Sequence, residues 1–275
     1  MAAQSPSAPV RISETFARAK REGRTAFMPF ITAGDPDLEG TRALVRRLSE
    51  TGVDLIEVGF PYSDPIADGP VIQASYTRSL SRRITLDAIF AAFGSLDRQG
   101  LAPLVAMASY ALLMRRGVER FLADAAQAGF SGLIIPDLPA AEADDVFRMA
   151  HASGLDLIQL IAPTTDRARV PSILKSCSGF VYCLAVAGIT GERESVADEL
   201  IQQLRWLKSQ TELPLAAGFG ISRPEHVATL RGVADGVIVG SAIVRRLESA
   251  EGAPFDAVLD SVGQFSGEMV AACAR

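Results

Sequence analysis

Short apolar runs recur along the chain, and longer stretches with helical spacing separate them. The eight runs cover residues 25–32, 53–58, 104–108, 132–136, 156–162, 180–185, 213–218 and 235–240. Continuous rather than alternating apolar residues are typical of parallel strands that are covered on both faces. Strands that alternate with helices at this length predict an α/β fold, namely a (β/α)8 TIM barrel. An open doubly wound sheet is the alternative. It usually carries GxGxxG after its first strand, whereas this chain has TAGDPD at 32–37.

No linker or shift in composition divides the sequence, so residues 1–275 are predicted to form a single domain. Residues 1–10 are polar and rich in proline, which predicts a flexible tail. Residues 11–22 predict an extra helix before the first strand, and residues 80–99 add helical material after the second. Glycines such as Gly129 and Gly154 stand where helices are expected to end.

Composition narrows the class of protein. Hydrophobic residues make up 48% of the chain and charged residues 21%, which is enough for a large core. The net charge of −5 argues against a nucleic-acid surface. Three cysteines without a CxxC pair and two distant histidines predict neither a disulfide framework nor a metal site. Without a signal peptide or a membrane-spanning run, the expected location is the cytoplasm.

One stretch places acidic residues where the strand pattern predicts burial. In LIEVGFPYSDPIADGP (55–70), Glu57 lies inside the second predicted strand, and Asp68 lies in the loop that follows. The active site of a barrel lies at the carboxyl ends of its strands, so both carboxylates are expected to reach one cavity as acid and base. The structural alternatives are an ion pair for Glu57 and a helix-capping role for Asp68 near Pro70.

Glycine-rich turns follow the last three predicted strands, in AGITGE (187–192), AGFGIS (217–222) and VGSAIV (239–244). Gly240 and Ser241 then begin a helix, whose free N–H groups favour an anion. Phosphate sites in barrels commonly form after strands 7 and 8, so we predict one here, held by backbone donors without a required arginine. The alternative is that these glycines only make tight turns.

Several strings together resemble one known family. PFITAGDP (29–36), IEVGFPYSDPIADGP (56–70), APTTD (162–166), AGITG (187–191), GFGIS (218–222) and GSAIV (240–244) resemble, in this order, the tryptophan synthase α subunit family. The second string is highly specific, whereas the glycine turns alone are not. The resemblance extends from about Phe16 to Arg246. It implies a TIM barrel that cleaves indole-3-glycerol phosphate to indole and glyceraldehyde 3-phosphate, a step in tryptophan biosynthesis.

The resemblance also implies roles for single residues. Glu57 matches the catalytic glutamate, and Asp68 matches the aspartate that holds the indole N–H. The phosphate-binding residues are matched by Gly191, Gly220, Gly240 and Ser241, and the pocket walls by Phe30, Tyr182, Thr190 and Phe219. The family needs no cofactor in this chain. Its partner is a pyridoxal-phosphate-dependent β subunit, and an α2β2 assembly is expected.

The sequence departs from the family after the third strand. Where MTYYNP is usual, this chain has MASYAL (107–112), so that Ser109 replaces a tyrosine, Ala111 an asparagine and Leu112 a proline. Substrate affinity and coupling to the β subunit are expected to differ here. Three alternatives stay open: a stand-alone lyase that releases indole, another phosphate-binding barrel such as an isomerase, and a binding module that activates the β subunit. Residues 186–195 are expected to form a mobile lid.

Overall fold

Eight parallel strands pair in sequence order, and the eighth pairs with the first, so the sheet closes into a barrel. A computed structural model of the chain describes residues 11–65, 68–184, 193–218, 220–248 and 254–274. The strands are β1 Ala26–Thr32, β2 Ile56–Gly59, β3 Leu104–Met107, β4 Phe130–Ile134, β5 Asp156–Ile161, β6 Val181–Leu184, β7 Leu215–Gly218 and β8 Gly236–Val239. The barrel predicted from the sequence is confirmed, and the open sheet is excluded. The predicted tail, residues 1–10, lies outside the described residues.

Helices surround the barrel and connect its strands. They are α1 Ile12–Arg21, α2 Leu38–Glu50, α3 Pro70–Ser81, α4 Leu86–Gly94, α5 Tyr110–Arg116, α6 Val118–Gln127, α7 Ala143–Ala152, α8 Val170–Lys175, α9 Arg193–Lys208, α10 Pro224–Ala228, α11 Ser241–Glu248 and α12 Phe255–Cys273, with a 3-10 helix at Arg167–Arg169. The helical material predicted between β2 and β3 is therefore two helices, α3 and α4. Of the helices that the structure describes, none is long and apolar enough to cross a membrane.

Alternate residues of each strand face the inside and the outside of the barrel. In β1, Phe27 and Ile31 pack outward in the cluster formed with the helices, whereas Met28 and Phe30 pack in the barrel interior. In β2, Ile56 and Val58 belong to the outer cluster. Glu57, between them, therefore points into the barrel.

Helix α1 closes the amino-terminal end of the barrel. Ile12, Phe16 and Ala19 are buried in the interior cluster, and the rings of Phe16 and Phe180 lie 5.5 Å apart. The predicted extra helix is thus confirmed, and its apolar face covers what would be an open barrel end. At the opposite end, where the strands finish, the described residues surround a cavity.

Candidate active site

Glu57 is a buried carboxyl group in the barrel interior. It is the second residue of β2, pairs in register with Phe30 of β1 and Val105 of β3, and is only 4% exposed. Neither of its carboxyl oxygens has a hydrogen-bond partner among the described residues. The ion pair considered as the structural alternative for Glu57 is therefore absent among the described residues. Burying a carboxyl group without a partner is costly, which points to a functional role.

Asp54 shows how this fold treats a buried structural carboxylate. It lies three residues before Glu57 and is fully buried. Both of its oxygens accept hydrogen bonds from Arg24, at 2.6 and 2.8 Å, and Oδ2 also accepts from the Phe27 backbone N–H at 2.9 Å. The fold thus pairs one buried carboxylate of this segment, Asp54, with an arginine but leaves Glu57 without a cation among the described residues. The contrast indicates that the isolation of Glu57 has a purpose other than stability.

Asp68 lies at the rim of the same cavity, in the loop between β2 and α3. Tyr62 donates a hydrogen bond to its Oδ2, at 3.4 Å, and Gln73 donates to its backbone oxygen at 2.7 Å. The N-cap of α3 is Gly69, without a side-chain capping bond. The helix-capping alternative for Asp68 is therefore wrong, and its carboxylate is left to face the cavity.

Burial separates the two carboxyl groups in acidity. Desolvation, helped by the neighbouring Asp68 charge, raises the pKa of Glu57 to about 8. Burial also raises the pKa of Asp68 to about 6, and the hydrogen bond from Tyr62 opposes this rise. Between these values Glu57 holds its proton while Asp68 is ionised. One carboxyl group can then donate a proton and the other can stabilise a cation.

A cavity of about 340 Å³ opens at the carboxyl end of the barrel. Its lining comes from β1, β2, β3, β5, β6 and β8 and from the loops and helices that follow them: Phe30, Glu57, Asp68, Gly69, Ile72, Met107, Pro136, Leu160, Tyr182, Leu184, Gly220, Ile221, Ser222, Ile238, Gly240, Ser241, Ala242 and Arg245. Apolar walls with two carboxylates at one side suit a flat apolar group that carries one polar atom.

The glycine turns that follow the neighbouring strands β7 and β8 both line the cavity, and they define its β7–β8 side. Gly220 has a φ of +79°, which favours glycine, and a Cβ there would meet no atom within 4 Å. Gly240 and Ser241 line the cavity at the start of α11, where the first N–H groups have no acceptor within the helix. Gly191, predicted as a third phosphate-binding residue, lies outside the described residues.

Arg245 also lines this side of the cavity, one helical turn after Ser241. It was not among the residues predicted from the sequence, because backbone donors alone were expected to hold an anion. The available signal was its spacing, since residues four apart share one face of a helix. Arg245 adds a cation to the side of the cavity where the phosphate is predicted.

Two predicted aromatic residues, Phe30 and Tyr182, form walls of the cavity. Each ring packs directly against the backbone of a glycine on the neighbouring strand. A Cβ on Gly218 would lie 2.5 Å from the Tyr182 ring, and a Cβ on Gly59 would collide with the Phe30 ring. The other two predicted wall residues, Thr190 and Phe219, lie outside the described residues, as do residues 186–192 of the predicted lid.

The unusual loop after β3 is held by hydrogen bonds. Ser109 donates to Asp137 Oδ2 at 2.7 Å and accepts from the Ala111 N–H, so it caps α5. It is buried but does not line the cavity. Tyr110 does not line it either, because its hydroxyl faces Glu142. Neither residue therefore supplies the aromatic wall that the family motif has at this loop.

Comparisons with known proteins agree with this geometry. Residues 16–273 match the family model described as "Tryptophan synthase alpha chain". The chain is 46% identical over 255 residues to the tryptophan synthase alpha chain of a Picosynechococcus species, covering 92% of this chain and 96% of that one. It is 45% identical over 266 residues to that of Chloroflexus aurantiacus, covering 96% and 99%.

A crystal structure of the tryptophan synthase alpha chain from Legionella pneumophila superposes with a TM-score of 0.84. It is 34% identical to this chain and covers 96% of this chain and 97% of its own. A closed barrel, a buried isolated glutamate and a glycine-lined recess thus occur in a sequence that matches one family along almost its whole length. The chain belongs to the tryptophan synthase alpha chain family.

Proposed function

We propose that Glu57 and Asp68 carry out the cleavage of indole-3-glycerol phosphate, the α reaction of tryptophan biosynthesis that this family performs. The observation that carries the proposal is the state of Glu57. It is buried, has no hydrogen-bond partner among the described residues and has a pKa of about 8 beside a cavity of suitable size. A carboxyl group that keeps its proton near neutral pH is suited to protonate carbon.

In the first step the Glu57 carboxyl proton passes to C3 of the indole ring, which becomes a cationic indolenine. The Asp68 carboxylate accepts a hydrogen bond from the ring N–H and stabilises this cation. In the second step the Glu57 carboxylate takes the proton of the glycerol hydroxyl next to the ring. The bond between ring and side chain then breaks, giving indole and an aldehyde, glyceraldehyde 3-phosphate. Glu57 ends protonated, so the cycle is closed.

The phosphate is proposed to lie at the start of α11. Gly220, Gly240 and Ser241 surround that recess, and the positive end of the helix dipole favours an anion there. Arg245 adds a charge on the same side. Holding the phosphate fixes the reacting carbon relative to Glu57, which is how a remote group contributes to rate. Phe30 and Tyr182 are proposed to enclose the indole ring.

No cofactor is proposed for this chain, since the reaction needs only proton transfers and charge stabilisation. The described residues include no group of three or more His, Cys, Asp or Glu side chains that could hold a metal ion. The partner is proposed to be a β subunit that carries pyridoxal phosphate, in an α2β2 assembly. Met114 supports a docking face, because it is 58% exposed on α5 at the same barrel end as the cavity.

The test is steady-state release of indole by the wild-type chain and by Glu57→Gln, each with and without a β subunit. We expect Glu57→Gln to lose activity by more than about 1,000-fold, since the proton donor is removed. The matched control is Glu119→Gln, an exposed glutamate of α6, which should behave as the wild type. An active Glu57→Gln variant refutes the assignment. Fast turnover without the β subunit would instead indicate a stand-alone lyase.

A further inference from the structure

A tyrosine behind the cavity wall has a hydroxyl group that the proposed chemistry leaves unused. Tyr76 lies on α3, one turn after the cavity-lining Ile72, and is 1% exposed. Its ring packs against the ring of Tyr62, with centroids 5.5 Å apart. Its hydroxyl has no hydrogen-bond partner among the described residues. Such a group is costly to bury, so its presence calls for a role.

The hydroxyl lies next to the strand that carries Glu57. It is 2.7 Å from the position that a Cβ on Gly59 would take. Gly59 and Glu57 are two residues apart on β2, so they face the same interior, about 6.6 Å apart along the strand. Glu57 is also close enough to Tyr76 for its charge to raise the pKa of the tyrosine. The unpartnered hydroxyl of Tyr76 and the two unpartnered oxygens of Glu57 therefore occupy adjoining space.

Of the three tyrosine hydroxyls near Glu57, that of Tyr76 is the one available to donate a hydrogen bond to it. Tyr62 already donates to Asp68, and Tyr182 of β6 lines the open cavity, where substrate is expected. The only charged neighbour that affects the acidity of Glu57 among the described residues is Asp68, an anion. Burial, with the charges of Asp68 and Glu57 and the neighbouring Tyr62 and Tyr182, raises the pKa of Tyr76 well above 10, so its hydroxyl keeps its proton.

We propose that Tyr76 is a positioning residue for the proposed proton transfer, because its hydroxyl donates a hydrogen bond, directly or through one water, to Glu57 once Glu57 is ionised. The inference rests on the proposed role of Glu57. The transferred proton comes from the Glu57 carboxyl group alone, and Tyr76 keeps its own proton throughout. The hydrogen bond forms when the O–H bond of Glu57 breaks, so it stabilises the charged intermediate more than the starting state.

Tyr76→Phe removes only the hydroxyl and tests this role. We expect kcat to fall about 10- to 100-fold with little change in KM, because a hydrogen bond to a charged group is lost in the intermediate. The loss of activity at high pH should move to a pH about one higher, since ionised Glu57 is less stabilised. Tyr110→Phe, whose hydroxyl faces Glu142, is the matched control and should leave both unchanged.

A second measurement reports on the same contact without catalysis. Stability is followed by urea unfolding from pH 5 to pH 9 in a double-mutant cycle of Tyr76→Phe and Glu57→Gln. Tyr76→Phe should be no less stable than the wild type at pH 5, should steepen the loss of stability with pH, and should have no such effect in the Glu57→Gln background. Parallel pH curves and an unchanged kcat overturn the proposal. Activity in Glu57→Gln would instead overturn the proposed function on which it rests.

Discussion

Replacing Glu57 by glutamine is expected to change how the stability of the fold depends on pH. Folding raises the pKa of Glu57 from 4.5 to about 8. Between these values the folded state holds a proton that the unfolded chain has released, so a rise in pH weakens folding. Glutamine does not titrate. The stability of the variant relative to the wild type should therefore increase with pH across this window.

The size of the effect follows from the two pKa values. A difference of one between the pKa of the folded and the unfolded chain corresponds to about 1.4 kcal/mol. The titration of Glu57 therefore costs the wild type about 1 kcal/mol at pH 5 and about 5 kcal/mol at pH 9. The free energy of unfolding of Glu57→Gln relative to the wild type should thus rise by about 4 kcal/mol between these two pH values. The comparison of slopes removes any constant effect of the glutamine itself.

Urea unfolding, followed by the fluorescence of the single tryptophan, Trp206, measures this difference. Asp68→Asn is the control, because the pKa of Asp68 rises only to about 6 and its contribution should be complete by about pH 7. For Glu57→Gln, the free energy of unfolding relative to the wild type should continue to rise between pH 7 and pH 8. Equal pH dependence in the wild type and Glu57→Gln would mean that the glutamate is solvated or paired, which contradicts its burial without a partner.

The remaining predictions concern the pH range of activity, the proposed phosphate site and the proposed docking face. The profile of kcat/KM should be bell-shaped, with limbs near pH 6 and pH 8 from ionisation of Asp68 and loss of the Glu57 proton, and Asp68→Asn should remove the acidic limb. Arg245→Ala should raise KM about two- to fivefold, as expected for an exposed charge pair, while Arg205→Ala on the solvent face of α9 should not. Met114→Glu should weaken stimulation by the β subunit, in a titration of activity, without changing the activity of the chain alone.

The fold was largely predictable because parallel strands leave a strong trace in sequence. Strands covered on both faces read as apolar runs, and each of the eight predicted runs contains most of one observed strand. Helix α12, Phe255–Cys273, was not predicted although its buried residues Val258, Val262, Phe265 and Met269 recur at helical spacing. Gly263 and Gly267 lower the helix propensity of this segment and obscure the pattern.

The site was predictable only in part. The place of Glu57 in a strand and the alternation of β structure are local, so its inward direction could be expected. Its lack of a hydrogen-bond partner depends on which side chains the closed barrel brings near it, whereas the place of Arg245 follows from its spacing on α11. The hydrogen bond that Ser109 donates to Asp137 likewise joins two residues that are 28 positions apart in the chain. Such contacts between distant segments leave no periodic signal.

The pairing of aromatic walls with glycines constrains how this pocket can evolve. Tyr182 rests against Gly218, and Phe30 against Gly59, with no room for even a methyl group. Any side chain added at either glycine collides with a ring that lines the cavity, so we expect it to be harmful unless the ring has already become smaller. The order of substitutions therefore matters: a new pocket shape is reached by first trimming the aromatic residue and only then filling the strand. Selection for altered substrates from this scaffold should accordingly recover linked changes at these two pairs of positions.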